Sequence, residues 1–364
     1  MNTHTIAAEG YRQPYIRTGY EYVVPNRTTD MFACMAKQDG KVISKTDKGI
    51  IVEYKDGSKK GVTIGRVYGK AEGSIYPHDI VSYLNVGDVF VKGDTIAYNT
   101  GFFEQDFIDP KRIIYKTNLT AKVALLESNQ TYEDSSAVSS RLGDKLKTKT
   151  TKVKSVVVSF NQNILEVVSM GSKLLPNDSL MIIEDEITSV TSAFDEESLM
   201  ALKRLSKQTP TSKYEGIVDK IEVFYHGDKN DMSVSLKNLA DKSDKLMSNI
   251  CRSSGKSIIS GRVNNEYRVN GTPLTLDKAE IKIYITIETN SGSGDKIIFA
   301  NQLKSVTGEV MDYDITTEDG RTKIDALFGY TSMAARKVNS PIEIGTTISL
   351  LKHIAEEAVR IYEE

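Results

Sequence analysis

The sequence contains no tryptophan, and only 2 cysteines and 4 histidines among its 364 residues. These scarcities remove whole classes of function. Cys34 and Cys251 lie far apart without ligand-like neighbours, so they read as two free thiols of a reducing compartment, not a disulfide framework. His4, His78, His226 and His353 have no partner at zinc-ligand spacing, which sets aside a His/Cys metal centre. No Walker loop, GxSxG elbow or HExxH helix occurs, and with them go the nucleotide-cradling, esterase-like and zinc-protease chemistries those patterns carry. No run approaches ~18 consecutive apolar residues, the length a spanning helix needs. The opening "MNTHTIAAEGYRQPYIRTGYEY" has no apolar core and does not read as a signal peptide. A charge excess is missing as well. The 47 Lys and Arg against 49 Asp and Glu leave a net charge of −2, unlike the strongly basic balance of a generic nucleic-acid coat. A few placed cations inside a larger assembly remain compatible with that balance. The expectation is a soluble, cytoplasmic protein with no membrane partner.

What is present is ordinary globular composition, 39% apolar and 26% charged, which excludes a wholly disordered chain. The length predicts two or three structural units. Most of the first 120 residues read as short strands. "GKVISKTDKGIIVEYKDGSKKGVTI" alternates, with joints at Thr46-Asp47-Lys48-Gly49 and at Asp56-Gly57. "VGDVFVKGDTIAY" has Gly-Asp corners at Gly87-Asp88 and Gly93-Asp94, which suit a small closed β unit. "KLKTKTTKVKS" at 145–155 alternates lysine with threonine or an apolar residue and reads as a solvated strand face. "GSKLLPNDSLMIIEDEI" repeats the layout of the earlier Gly-Asp segment.

Three helices are expected. "FDEESLMALKRLSKQ" at 194–208 starts acidic and ends basic, as the helix dipole prefers, with an apolar stripe of Leu199, Leu202 and Leu205. A second spans 233–252. In the last, Ser340-Pro341-Ile342-Glu343 reads as a capping box with proline in the first turn. Ile344, Ile348, Leu351, Ala355, Ala358 and Tyr362 then recur at helical spacing. No Gly stop follows this helix, and the next piece of core is expected from elsewhere.

Three clusters could carry chemistry. Glu133 and Asp134, in "TYEDSSAVSSRL", could both approach one cation at a strand end. Lys296 and Lys304, in "GDKIIFANQLKSV", could hold phosphates as two point charges. Arg336 enters the last helix from "TSMAARKVNSPIEIG". Taken singly, the bland reading leads for each: a solvated turn, two lysines on a loop, and a local charge partner.

In order along the chain, these clusters resemble the C-terminal half of the β subunit of multisubunit, DNA-directed RNA polymerases. "GDKIIFANQLKSV" resembles the signature GDK-x7-K, with both lysines at matching positions. "EVMDYDITTEDGRTKIDALFGYTSMAARKVNSPIEIG" resembles the stretch after it, and "TYEDSSAVSSRL" resembles the "Y-N-F-E-D-S" motif. "RTGYEYVV…DGKV" resembles the "GTGME…DG-V" segment, with Arg12-Gln13 matching the Arg-Gln before it. "LLPNDSLMI", "FDEESLMALKRL" and "YEGIVDKIEVF" resemble the flap, its tip helix and the strand leaving it. The collinearity runs over roughly residues 11–350.

The resemblance implies an α+β, mostly β fold. A double-psi β-barrel core would come from 31–140 and 281–340, with 1–30 as an extension joining the preceding β part. A flap-like domain would occupy 141–225, with its tip helix at 194–208, followed by a short helical insertion at 226–280 and a C-terminal helix at 341–364. It implies that Lys296, Lys304 and Arg336 contact phosphates of the RNA 3′ end and of the incoming nucleoside triphosphate. Glu133 and Asp134 would lie near a second Mg²⁺ through water, with no direct metal ligand on this chain, and Arg12 and Gln13 are candidate RNA contacts. Leu199, Leu202 and Leu205 would dock a promoter-specificity factor. The metal-binding aspartates of the family, in "NADFDGD" on β′, have no counterpart here, so the chain would be inactive alone. Implied partners are an N-terminal β-like chain, β′-like chains, template DNA and nascent RNA. The missing β lobes resemble the split, multi-chain polymerases of large bacteriophages, which places the protein in the host cytoplasm and leaves packaging in a virion open. Two rival classes stand beside this one: a structural or virion β protein without nucleotide chemistry, and a standalone magnesium-dependent nuclease using Glu133 and Asp134.

Overall fold

In the computed structural model, which describes residues 6–71, 73–106, 108–116, 118–185, 207–300 and 302–364, the period-two alternation of the sequence is carried furthest by two long strands. Gly216–His226 and Lys278–Thr289 pair antiparallel, with Ile221 opposite Ile283, Val223 opposite Ile281 and Tyr225 opposite Ala279. The protein is 39% strand and 21% helix, the mostly β, α+β class expected. No closed barrel is present among the described residues. The chain forms two units. Met1–Met35, Tyr98–Thr148 and Thr289–Glu364 make one, and Ala36–Ala97 with Lys149–Glu288 the other. The 31–140 stretch is therefore shared between them.

In the second unit, one face of the long strand pair buries Val218, Val223, Ile281, Ile283 and Ile285 in the largest core cluster. The other face carries Lys220 opposite Tyr284, Glu222 opposite Lys282 and Phe224 opposite Glu280. Its charges are satisfied in place. The Tyr284 hydroxyl donates to Glu222 at 2.7 Å, and the Lys282 ammonium lies 4.8 Å from the Phe224 ring centroid. The expected second helix spans Val234–Ser253 (α1), with the Ser233 hydroxyl accepting from the Leu236 N–H as N-cap. Leu236 and Ala240 of α1 are fully buried in the same core.

The repeated layout seen in the sequence is one repeated turn. The N–H of Asn85, Val91 and Leu175 each donates to the carboxylate three residues on, of Asp88 at 2.7 Å, Asp94 at 2.9 Å and Asp178 at 2.7 Å. The third residue of each turn has positive φ: Gly87 at 92°, Gly93 at 94° and Asn177 at 74°. That geometry explains why Gly or Asn stands before each aspartate.

In the first unit, five strands form one sheet: Val123–Leu125 (β1), Ser135–Ser139 (β2), Lys296–Phe299 (β3), Leu303–Met311 (β4) and Ala326–Phe328 (β5). Their order is β1-β5-β2-β4-β3. β1 runs parallel to β5 and β2 parallel to β4, while β2–β5 and β3–β4 are antiparallel. Two helices follow: Tyr330–Ala335 (α2) and Ser340–Glu363 (α3).

Some expectations are corrected. The capping box at 340–343 is not formed. Asn339 is the N-cap, without a side-chain bond, and Ser340 lies inside α3. The Ser340 hydroxyl instead accepts from the Gln302 amide at 2.7 Å, so a tertiary contact takes the group that would have capped. Pro341 does sit in the first turn. The 194–208 helix falls largely outside the described residues, and its last two, Lys207–Gln208, are strand, paired with Ile183 and Glu184. The lysine-rich strand begins at Thr148, because Lys145 closes a short helix, Ser140–Lys145. No helix among the described residues is long and apolar enough to cross a membrane.

Truncating Leu236 to alanine should cost about 2–5 kcal/mol by loss of buried contacts and cavity formation. The same change at Val234, which is 76% exposed on α1, should cost less than about 0.5 kcal/mol. Chemical denaturation of the full chain separates the two.

Candidate phosphate-facing site

The stretch "KIIFANQLKSV" folds as an antiparallel hairpin, with Lys296 opposite Val306 and Ile298 opposite Lys304. Residues that face one another across a ladder lie on one side of the sheet, as do residues two apart on one strand. Lys296, Ile298, Lys304 and Val306 therefore share a face, and all four are exposed. The opposite face carries Leu303, Ser305 and Thr307, which are buried, with half-buried Ile297 and Phe299. The lysines are thus strand residues and not loop residues. Apolar alternation on the hidden face sets the register, and the register puts both ammonium groups on the other. As diagonal neighbours the two residues stand roughly 7–8 Å apart across the ladder.

β2 lies beside β4 on the side away from β3. Ser135 is in register with Val306, and the Val306 N–H donates to the Asp134 carbonyl at 3.1 Å. Glu133 and Asp134 therefore enter the sheet directly beside the residue that faces Lys296. Glu133 has a φ of 54°, in the left-handed region, where the chain turns into β2. Both carboxylates are exposed. Among the described residues, the side chains of Glu133, Asp134, Lys296 and Lys304 make no hydrogen bond or ion pair. The β2–β4 ladder shifts register at Ser136/Ala137, passing over Gly308. A Cβ on Gly308 would lie 2.5 Å from the Ser135 hydroxyl oxygen, so a larger residue at the bulge would require the Ser135 side chain to turn away.

Arg336 follows α2, whose Met333 packs with Leu303 and Phe328. α2 therefore covers the face of the hairpin opposite the lysines, and the fold does not gather Arg336 onto their face. Arg336 is exposed at the C-cap and has no side-chain partner among the described residues. The N-cap, Gly329, has no side chain, and Glu127 acts in its place by accepting from the Thr331 N–H at 2.5 Å. That hydrogen bond holds the Glu127 carboxyl below the ordinary range. β5 is anchored by Asp325, which is 6% exposed. It accepts from the Arg141 guanidinium at 2.7 Å and from the Lys122 N–H at 2.9 Å. Sequence reasoning missed Gly308, Glu127 and Asp325. The one signal for Asp325 was an acidic residue directly before the apolar run "ALF".

Arg12 and Gln13 are brought to other work. The Arg12 guanidinium donates to the carbonyls of Glu9 at 2.9 Å and Tyr11 at 2.8 Å. The Gln13 amide nitrogen donates to the Gln105 carbonyl at 2.9 Å, its oxygen accepts from Arg17 at 2.6 Å, and its backbone N–H donates to Glu104 at 2.8 Å. Nearby, the nearly buried Asp106 accepts from the Tyr22 hydroxyl at 2.7 Å and from Arg17 at 3.3 Å. Burial pushes its carboxyl up, but the Tyr22, Ile108 and Arg17 contacts outweigh burial and hold it below the usual range. Leu199, Leu202 and Leu205 lie outside the described residues.

Among the described residues, no group of three or more His, Cys, Asp or Glu could hold a metal ion. Mg²⁺ keeps several waters and takes one or two carboxylates, so Glu133 and Asp134 have the chemistry for a contact to such an ion. In comparisons with known proteins, the sequence matches no family model and no curated protein.

A carboxyl with a depressed folded-state pKa contributes stability above its unfolded value, near 4, that is lost as pH falls through the folded value. Tyr22→Phe should therefore lower stability at pH 7, and the gap to the unaltered protein should shrink steadily below about pH 4. Urea denaturation across pH 2–7 checks this, and a pH-independent gap would remove Asp106 as the cause.

Proposed function

We propose that this chain is the C-terminal part of the β-like portion of a split, multisubunit, DNA-directed RNA polymerase. The observation that carries the proposal is the shared exposed face of Lys296 and Lys304 beside the Glu133–Asp134 entry to the neighbouring strand. Residues more than 150 positions apart in sequence meet there, in the order and company that the resemblance requires. The parallel pairings β1–β5 and β2–β4 support assigning this sheet to a double-psi β-barrel that other chains complete.

Two exposed ammonium groups on flexible stems, at a separation on the order of 7 Å or more, repel in water by only about 0.5 kcal/mol or less. They can therefore stand unpaired at little cost until a polyanion arrives. Each charge-assisted hydrogen bond to a phosphate oxygen would contribute about 1.5–3 kcal/mol once water is excluded. Lys296 and Lys304 neutralise phosphate charge at the RNA 3′ end and on the incoming nucleotide; Arg336, expected at the triphosphate, is not on their face, and its part in the site requires the segment after α2 to bring it round. Glu133 and Asp134 would hold water beside a Mg²⁺ supplied by a β′-like partner, and that ion would provide the Lewis acidity of nucleotidyl transfer. The contribution of this chain is position and charge, which is most of what phosphoryl chemistry asks of protein. The 141–225 segment serves as a flap, and the 194–208 stripe docks a promoter-specificity factor.

The complex that co-purifies with a tagged copy of this chain should incorporate nucleotides on a DNA template. Lys304→Ala should lower that rate by about a hundredfold or more. Incorporation that is indifferent to the change would reject the site and keep the class. No incorporation, with no partner bearing the aspartate motif, would return the chain to the structural class. Replacing Leu202 and Leu205 with glutamate should abolish promoter-specific initiation and spare elongation on a preformed scaffold, and equal loss of both would remove the docking role.

A further inference from the structure

The lysine face is a checkerboard. Lys296 stands opposite Val306 and Ile298 opposite Lys304, so the two ammonium groups occupy one diagonal and two apolar side chains the other. Ile298 is 37% exposed and Val306 36%. A ligand made of phosphate alone would leave that second diagonal in water. The pattern suits a ligand that carries an apolar portion beside its phosphates.

A wall borders this face. Ser135 of β2 is in register with Val306, so its side chain lies on the same side of the sheet as the lysines. The Ser135 hydroxyl donates to the Gln130 carbonyl at 3.0 Å, which ties the single turn Asn129–Thr131 to that side. The turn is fixed from both ends. Thr131, 1% exposed, donates its hydroxyl to the Leu126 carbonyl at 2.7 Å and accepts from the Ser128 N–H at 2.9 Å. The Ser135 N–H donates to the Tyr132 carbonyl at 3.1 Å, and Glu133 takes its left-handed φ of 54° directly after. Between these anchors stands Tyr132, which is 72% exposed. Among the described residues, its hydroxyl makes no hydrogen bond and its ring has no aromatic or cation neighbour.

The backbone under this ring is held, and the ring itself is bare. An aromatic side chain so placed offers a large contact surface at low conformational-entropy cost, since only two side-chain torsions remain to be fixed. Every nucleobase has a π-face on which such a ring can stack. Tyr132 precedes β2, one strand away from Lys304 and two from Lys296, or roughly 5–10 Å. A nucleotide spans such a gap from its phosphate to its base. A free polyphosphate supplies the charges and nothing for the ring or the apolar diagonal to meet.

We propose that Tyr132 stacks on the base of the nucleotide whose phosphates rest on Lys296 and Lys304, with Ile298 and Val306 as the apolar floor beneath it. Tyr132 is then a binding residue for the uncharged half of the ligand, and the site selects nucleotides over bare polyphosphate. The inference rests on the phosphate role given above to the two lysines.

Titration calorimetry of the full-length chain in Mg²⁺ buffer, with ATP and inorganic tripolyphosphate as probes, tests both layers separately. Tyr132→Ala should weaken ATP binding by about tenfold and leave tripolyphosphate unchanged, and Tyr132→Phe should retain both. Lys304→Ala should weaken both probes. Because the sequence has no tryptophan, Tyr132→Trp supplies a single reporter, whose emission ATP should quench and tripolyphosphate should not. A side chain this exposed can be changed without moving the unfolding midpoint. If both probes depend on Lys304 and ATP is indifferent to Tyr132→Ala, the stacking is overturned and the phosphate site stands. Equal weakening of both probes by Tyr132→Ala overturns the stacking as well. If neither probe binds at millimolar concentration, or neither responds to Lys304→Ala, the phosphate reading fails and the stacking with it.

Discussion

The parallel ladder between β2 and β4 is the contact on which the first unit turns. It brings residues 135–139 alongside 306–311, and every other placement in the candidate site follows from it. The Val306 N–H to Asp134 carbonyl bond seats the Glu133–Asp134 turn. The β3–β4 hairpin then sets the lysine face, and α2 closes the opposite face through Met333. A parallel pair of this kind cannot be made by a short turn, so the cost of closing a long loop must be met by burial elsewhere. The fully buried Ala137, Val138, Ala326 and Phe328 of β2 and β5 supply that burial.

Charge in this protein falls into two populations. One is consumed by the fold. Arg66 is held by Asp79 at 2.8 Å and Asp219 at 3.0 Å, Lys229 by Asp241 and Asp244 at 2.7 Å each, and Arg141 by Asp325. These pairs are partly shielded from water, where Coulomb attraction is stronger than at the open surface. The other stands exposed without a partner among the described residues, and includes Glu133, Asp134, Lys296, Lys304 and Arg336 beside other surface charges such as Lys70 and Lys242. Being unpaired leaves these groups free to act on a ligand, and the ladder that sets Glu133 and Asp134 beside the lysine face is what singles four of them out. Arg12 and Gln13 fall on the other side of the line, because their polar atoms secure the N-terminal segment.

Much of the local structure was legible in the residues. Asp56-Gly57 made a hairpin, the strand "YEGIVDKIEVFY" formed, and the 233–252 helix appeared one residue away from its expected bounds. The repeated Gly-Asp layout proved to be one turn used three times. These features depend on neighbours in sequence, through period-two alternation, a serine N-cap, and positive φ at Gly or Asn. The failures share a cause too. Ser340 was read as a cap and was claimed by Gln302, and Lys207–Gln208 were read as helix and were drawn into a strand by Glu184. In each case a partner distant in sequence outbid a local preference worth about 1 kcal/mol or less.

By itself, the sequence determined the β-rich class, the turn chemistry and the amphipathic pattern of α3. Each is fixed by side-chain type and short-range periodicity. Only the tertiary structure decided that Lys296 and Lys304 share a face, that Glu133 and Asp134 stand beside them, and that Arg336 does not. A one-residue slip of β3 against β4 would turn one lysine inward. That register is set by which apolar side chains find the core, and no local rule encodes it.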